Sequence, residues 1–406
     1  MSSLPSSTSS QVSTVDTFVN NALAQNKGTA KEYKKRLNLF SKFVREIYDL
    51  TLDELITTLT IEGYGPKIDV YHLLSAYVSW LSKRGSMSPG SIKSRVATAK
   101  HYLETFDIDI SPRKFQLKVK TPRVIRTYKE ALSKEDIQTI LNACSSSKLK
   151  TYLLFLAATG CRAGEALSLR LCDINFNASP VTVFIRGEYT KTKVSRYVFL
   201  TNELAEQLRS WISYKYRTRS IGYYDNKNKR TMNKIVKPSV NNKVFIFTSN
   251  WEKSPALENL YTNMLTRFEH MLDRLGGKFS EFEDEDNSKR RKITFHSFRR
   301  YVKGVISDLG YADYSEYFIG HQGSTYYRKT EREKIQLFKK IEPYLSYLDY
   351  GALEKRSNDM QTRLETMERE NQMLRQKDSM NTDAIANLSD KMHELTEKIQ
   401  NLENLR

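Results

Sequence analysis

Between Ile293 and Arg328 the chain reads ITFHSFRRYVKGVISDLGYADYSEYFIGHQGSTYYR, which sets His296 and Arg299 three residues apart, then Gly320-His321, then Tyr326 beside Tyr327. An apolar core has no use for that set. Imidazoles move protons, a guanidinium is a rigid fork for phosphate oxygens, and a phenol becomes a nucleophile once cations stabilise its anion, so the chemistry indicated is chemistry on a phosphate. Two upstream groups fit the same need. Arg162, in TGCRAGEAL, has Glu165 one turn on and on the same helical face, and a guanidinium held by a carboxylate is a preorganised anion fork. Lys191 stands within TKTK at the tip of a predicted hairpin. Singly, each has a plain alternative: a surface ion pair, an exposed turn lysine, a capping or core histidine, or packing tyrosines in a chain that has 24 of them. The set as a whole carries the argument.

The elements that must position these groups are mostly helical. Residues 1–13 are Ser/Thr-rich and predicted to be disordered. From residue 14 to about 120 the apolar spacing is helical: Tyr33, Leu37, Phe40, Val44 and Ile47 share one face while Lys31, Lys34, Lys35 and Arg36 fill the other. Thr51 with Glu54 reads as a capping box, a third helix carries Leu73 to Leu81, and a fourth starts after Ser88-Pro89-Gly90 with Ser91. Basic residues on several of these helices predict a small DNA-binding domain. The stretch FQLKVKTPRVIRTY, Phe115 to Tyr128, lacks helical period and reads as an extended basic linker, assigned to 121–131, that lets two domains grip a duplex. A second domain, 132–350, opens at Ser133 and Asp136, contains a hairpin formed by Val181–Arg186 and Ser195–Leu200, and holds a basic insertion at 217–243. The acidic run from Glu281 to Asp286 with the basic run from Lys289 to Lys292 reads as an exposed loop, and helices are expected from His296 to about Asp349. In 351–406, apolar residues at 364, 367, 374, 385, 388, 392, 395, 399 and 402 follow a heptad with Asn371 at an a position, which predicts a coiled-coil tail. A single solvated helix is the alternative for that tail.

Charge points to the partner. The 406 residues carry 65 Lys and Arg against 47 Asp and Glu, a formal charge of +18. Residues 351–406 hold 9 basic against 11 acidic side chains, which leaves 56 against 36, a surplus of 20, in residues 1–350. Such a surplus attracts a polyanion, and double-stranded DNA is the expected one. Cys144, Cys161 and Cys172 have neither metal-ligand nor paired-disulfide spacing and are expected as buried free thiols in a reducing compartment. No apolar run approaches the ~20 residues of a membrane span, and the N-terminus lacks a signal-peptide core. The expected location is the cytoplasm, in association with the nucleoid.

In order and spacing, TGCRAGEAL, the hairpin lysine of YTKTKVSRYVFL, HSFRR, and IGH followed by STYYR resemble the tyrosine recombinase (phage integrase) family over residues 15–350. The resemblance implies a mainly α fold with a small antiparallel β-hairpin or sheet, in which a helical, SAM-like core-binding domain precedes a catalytic domain. It implies that Arg162, Arg299 and His321 bind the non-bridging oxygens of a scissile phosphate, that His296 assists proton transfer, and that Lys191, with Lys193 as fallback, protonates the leaving 5′ oxygen. A tyrosine would form a 3′-phosphotyrosyl link that stores the bond energy, so neither metal nor other cofactor is required. Two features depart from the family pattern. Tyr326 and Tyr327 lie only five and six residues after His321, an ending more similar to archaeal integrases, which favours Tyr326 over Tyr327 as nucleophile. The tail is also an addition. The resulting expectation is a site-specific recombinase or integrase of a mobile element, dimeric through its tail and tetrameric on paired DNA sites. A non-cleaving DNA-binding protein on the same fold and a relaxing topoisomerase of type IB chemistry are the alternatives.

Overall fold

The computed structural model describes residues 13–61, 67–85, 87–124, 131–225, 230–282, 290–321 and 327–347, with isolated residues between 367 and 392. The chain divides into two units, Met1–Glu130 with Glu281–Lys292, and Ala131–Ser280 with Ile293–Arg406.

In the first unit, helical periodicity becomes α1 (Thr14–Gln25), α2 (Lys27–Tyr48), α3 (Leu52–Thr60), α4 (Val70–Lys83), α5 (Pro89–Thr105) and α6 (Pro112–Lys118). Thr51 and Glu54 close the expected capping box on α3: the Glu54 carboxylate accepts from the Thr51 backbone N–H at 2.7 Å, and the Thr51 hydroxyl accepts from the Glu54 N–H at 3.2 Å. The helices bury Leu37, Phe40, Phe43, Leu55, Leu74, Tyr77, Leu81, Tyr102 and Leu103 in one core. Ile47, expected inward, is 51% exposed. Two further expectations are corrected. Ser88, not Ser91, caps α5, since Pro89 fits the first helical position where no N–H is needed. Phe115 to Lys118, taken as extended linker, form the end of α6, which starts at a Ser111-Pro112 N-terminus.

In the second unit, α7 (Lys134–Asn142) begins at a Ser133/Asp136 capping box. Next comes α8 (Ser147–Thr159), buried over nearly its whole length and apolar from Tyr152 to Ala158. A short α9 (Ala163–Leu167) leads to an antiparallel sheet of β1 (Ile174–Asn175), β2 (Thr182–Ile185) and β3 (Arg196–Phe199) in that order. β2 and β3 pair from Thr182↔Phe199 to Ile185↔Arg196, the expected hairpin. After α10 (Asn202–Lys215), the basic insertion folds as a separate two-stranded ribbon, β4 (Arg219–Asp225) with β5 (Arg230–Val236). Then come α11 (Leu257–Leu275), α12 (Phe295–Asp308), α13 (Ala312–Ile319) and α14 (Glu331–Ile341). Phe155, Phe247, Phe268, Phe298, Val302, Phe318 and Phe338 gather around α8 in one core. The cysteines are free as expected, but only Cys161 is buried; Cys144 is half-buried and Cys172 exposed.

The fold is thus mainly helical with a small antiparallel sheet. Among the described residues no helix is long and apolar enough to cross a membrane. Most of the 351–406 tail, including heptad positions 364, 395, 399 and 402 of the expected coiled coil, lies outside the described residues, as do residues 1–12 and most of the acidic-basic loop after Phe282.

Candidate active site

The site is built where α8, α12 and α13 end or begin. Gly160 stops α8 in the left-handed region, at φ 62°, and a Cβ there would stand 2.9 Å from Ile319 Cγ2 and 3.1 Å from Val302 Cγ1. Only glycine lets the chain turn this close to α12 and α13. The turn delivers Cys161 to the interior and Arg162 to the mouth of the site.

Arg162 is a quarter exposed, and its Nη1 donates to Glu165 Oε1 at 2.8 Å and to the Gly320 carbonyl at 3.4 Å. Glu165 Oε2 accepts from the Arg162 backbone N–H at 3.2 Å and from Arg196 Nη2 at 2.7 Å. Arg299 descends from the first turns of α12, where Nη1 donates to the carbonyls of Gly160 at 2.8 Å and Ile319 at 2.7 Å. Two guanidiniums therefore converge on the adjacent Ile319 and Gly320 carbonyls, directly before His321.

The electrostatics are lopsided. Glu165, Arg196 and Arg299 are 2%, 8% and 3% exposed, and with the quarter-exposed Arg162 they set three guanidiniums around one carboxylate. Burial works to raise the Glu165 carboxyl, but the Arg196 charge and the hydrogen bonds from Arg196 and Arg162 hold it below the usual carboxylate range. Arg299 has no carboxylate of its own; burial, and then the neighbouring Arg162, pull it down to about 10. Its Nη2 is buried without a hydrogen-bond partner among the described residues. A buried guanidinium with an unsatisfied donor favours an anion as its partner.

His321 follows Gly320, which sits at φ 71° and ends α13. Its Nδ1 is hydrogen-bonded to Glu316 Oε2, leaving Nε2 for a ligand. His296 lies exposed in the first turn of α12, one turn before Arg299. Lys191 is exposed in the β2–β3 loop and makes no hydrogen bond or ion pair to a described residue, whereas Lys193 Nζ donates to the Glu188 carbonyl at 3.3 Å. The geometry therefore brings Arg162 and Arg299 to the two carbonyls directly before His321, and Lys191 stands exposed on the β2–β3 loop.

Tyr326 lies outside the described residues. Tyr327 is half-buried and stacks on Tyr317, with ring centroids 5.0 Å apart and planes at 22°, and packs 5.8 Å from Tyr314. Lys334 Nζ lies 4.3 Å from the Tyr317 ring centroid and 5.8 Å from that of Tyr327. Burial, followed by the charges of Asp313 and Glu333, pushes the Tyr327 phenol up to about 12.

Two residues escaped the sequence reading. Arg196 carries a signal that was legible: on β3 it alternates with exposed Tyr197 and so occupies an inward position, where a charge needs a partner. Glu316 had none, since its link to His321 depends on how α13 ends.

Comparison with known proteins places these residues in context. Residues 130–303 match the phage integrase family. A stretch of 125 residues is 31% identical to the tyrosine recombinase XerA of Saccharolobus solfataricus, covering 31% of this chain and 39% of that protein. Over 152 residues the chain is 23% identical to transposase A from transposon Tn554 of Staphylococcus aureus, covering 36% of this chain and 42% of that one. The chain thus spans about two fifths of the length of these curated relatives. Among solved structures, a lambda integrase dimer bound to a core site is 14% identical with a TM-score of 0.48, covering 78% of this chain and 97% of that one. The XerA recombinase crystal structure is 14% identical with a TM-score of 0.33, covering 86% and 97%. The stretch that matches the phage integrase family, residues 130–303, holds Arg162, Lys191, His296 and Arg299.

Proposed function

We propose that the chain is a site-specific DNA recombinase that cuts and rejoins strands through a 3′-phosphotyrosyl intermediate. The observation that carries this reading is the buried surplus of positive charge, in which Arg162, Arg196 and Arg299 face one Glu165 and Arg299 Nη2 lacks a partner among the described residues. A scissile phosphate supplies the missing anion. As the phenolate attacks phosphorus, charge builds on the non-bridging oxygens, and fixed guanidiniums in a water-poor site stabilise it without reorganising. His321 adds a hydrogen bond from Nε2, and His296, at the mouth of the same α12, assists proton transfer. Lys191, on its exposed loop, protonates the departing 5′ oxygen once DNA draws the loop inward.

The nucleophile is Tyr326. A nucleophilic phenol needs its anion stabilised, and the Tyr327 ring is instead packed on Tyr317 with burial raising its hydroxyl to about 12. Tyr327 then serves to anchor the segment that presents Tyr326. Residues 14–120 act as a DNA-gripping domain, 121–131 as linker and 132–350 as the catalytic domain. The relatives include a transposase and a protein bound to DNA as a dimer, which supports a mobile-element role and multimeric action. In the tail, Met367, Leu374, Ile385, Leu388 and Met392 are helical residues 60–69% exposed, an apolar row that supports a coiled-coil dimer, with four protomers assembled on paired sites. The protein works in the cytoplasm on nucleoid DNA.

The test is a nicked suicide duplex carrying the recognition site, obtained by binding selection from random sequence. The wild-type chain forms an SDS-resistant covalent adduct, Tyr327→Phe retains it and Tyr326→Phe loses it. A reversed result for the two tyrosines overturns the assignment, and a wild-type chain that binds but forms no adduct leaves a non-cleaving DNA-binding protein.

A further inference from the structure

We infer that Glu316, held from behind by Lys303, is the positioning residue that fixes the imidazole of His321 for phosphate binding. The inference rests on the reading of His321 as a phosphate ligand.

The arrangement follows from how α13 ends. Gly320, at φ 71°, donates its N–H to the Tyr317 carbonyl at 3.0 Å, and His321 donates its N–H to the Glu316 carbonyl at 3.0 Å. These two bonds form the Schellman closure that a left-handed glycine permits. The closure folds His321 back over the last turn of α13, which brings its ring to the carboxylate of the residue that already accepts its backbone N–H. Nδ1 is hydrogen-bonded to Glu316 Oε2. The other oxygen, Oε1, pairs with Lys303 Nζ at 2.6 Å.

Three consequences follow. With Nδ1–H donating to a carboxylate, Nε2 is the nitrogen turned to the ligand, and the form that donates from it to a phosphate oxygen is the imidazolium, which carries a proton on both nitrogens. Lys303 lies on α12, one turn beyond Arg299 and two beyond His296, so one helix carries two groups of the site and the residue that braces a third. Lys303, Glu316 and His321 side chains are each about two fifths exposed, which leaves the relay at the rim where DNA arrives, unlike the buried Glu165 and Arg196 beneath it. The charges facing the ring are thus Glu316 from its own helix and Lys303 from α12, with the Arg162 guanidinium on the carbonyl of the preceding Gly320.

The experiment has two readouts. The first needs no DNA: with ring-15N histidine, the signals of one of the six imidazoles are lost in His321→Ala and so assigned, and in the neutral form they show the Nδ1-protonated tautomer. Glu316→Gln shifts that ring toward the mixed tautomers of a solvated histidine, and a ring that does not respond overturns the positioning role. The second is single-turnover cleavage. Glu316→Gln lowers the rate about 10- to 100-fold, the usual cost of removing a carboxylate that orients a histidine, while DNA affinity stays within about twofold. In a His321→Ala background the same substitution costs nothing further, because Glu316 acts through His321. Additive losses would show a merely structural Glu316 and overturn the inference. A wild-type chain without cleavage would instead remove the recombinase reading and leave the tautomer result to decide on Glu316.

Discussion

Glu165 divides its two oxygens between Arg162, which faces the mouth of the site, and Arg196, which lies behind it. Arg196 also reaches the Phe318 carbonyl at 3.4 Å and the Cys161 thiol at 3.6 Å, so one side chain on β3 stitches the α8–α9 turn to the end of α13. A Cβ on Gly320 would stand 2.5 Å from Arg196 Nη1, which shows how closely this guanidinium underlies the His321 turn. Removing one member of such a buried set leaves an uncompensated charge, usually about 3–5 kcal/mol. Arg196→Met is therefore expected to cost about that much in urea unfolding, and the surviving folded fraction should cleave DNA more slowly than wild type. A variant as stable and as active as wild type would show that Arg196 is only a filler. The sequence made Arg162 and Glu165 legible as a pair because they are one helical turn apart. Arg196 showed only its inward place on β3, its partner lying 31 residues away, and Glu316 showed nothing, its partner lying beyond a left-handed turn.

At the scale of elements, the helices and the β2–β3 hairpin could be read from periodicity and caps, because Thr51-Glu54 and Ser133-Asp136 signal helix starts through local hydrogen bonds. What could not be read is which ends meet. Gly160 illustrates the difference: in sequence it is one residue of a motif, and in the fold it is the point where α8 nearly touches Val302 of α12 and Ile319 of α13. Gly160→Ala would both force a side chain into the left-handed region, at roughly 1–2 kcal/mol, and overpack that contact, at roughly 1–3 kcal/mol. The expected outcome is a thermal midpoint lowered by several degrees together with a loss of cleavage larger than the loss of folded protein, because the Gly160 carbonyl that holds Arg299 moves. An unchanged midpoint would mean that the contact relaxes freely. The linker reading failed at Phe115–Lys118 for a local reason: the Ser111-Pro112 start outweighed the basic, aperiodic run that follows.

For the whole molecule, charge is the property that sequence alone establishes and that the proposed function uses. A surplus of 20 positive charges in residues 1–350 predicts DNA binding that is steep in salt. If the chain neutralises 6–10 phosphates, affinity falls roughly 10³- to 10⁵-fold between 50 and 200 mM salt, which fluorescence anisotropy on a labelled duplex measures directly. A flat response would remove DNA as the partner. The near-neutral tail adds nothing to that attraction, and its exposed apolar row is better suited to another copy of itself. A chain ending at Asp349 is expected to sediment as a smaller species than the full chain at equal concentration while keeping the salt slope; identical sedimentation would count against a coiled-coil role.

The central claim is that Tyr326, five residues after His321 in the chain, bonds covalently to DNA. The most direct measurement digests the SDS-resistant adduct with trypsin and nuclease and maps the modified peptide by mass spectrometry. The account predicts a nucleotide mass on Tyr326, within the tryptic peptide Gly304–Arg328 that also holds α13 and His321, joined through a 3′ phosphate. A nucleotide on Tyr327, on a serine, or on no residue at all would contradict it.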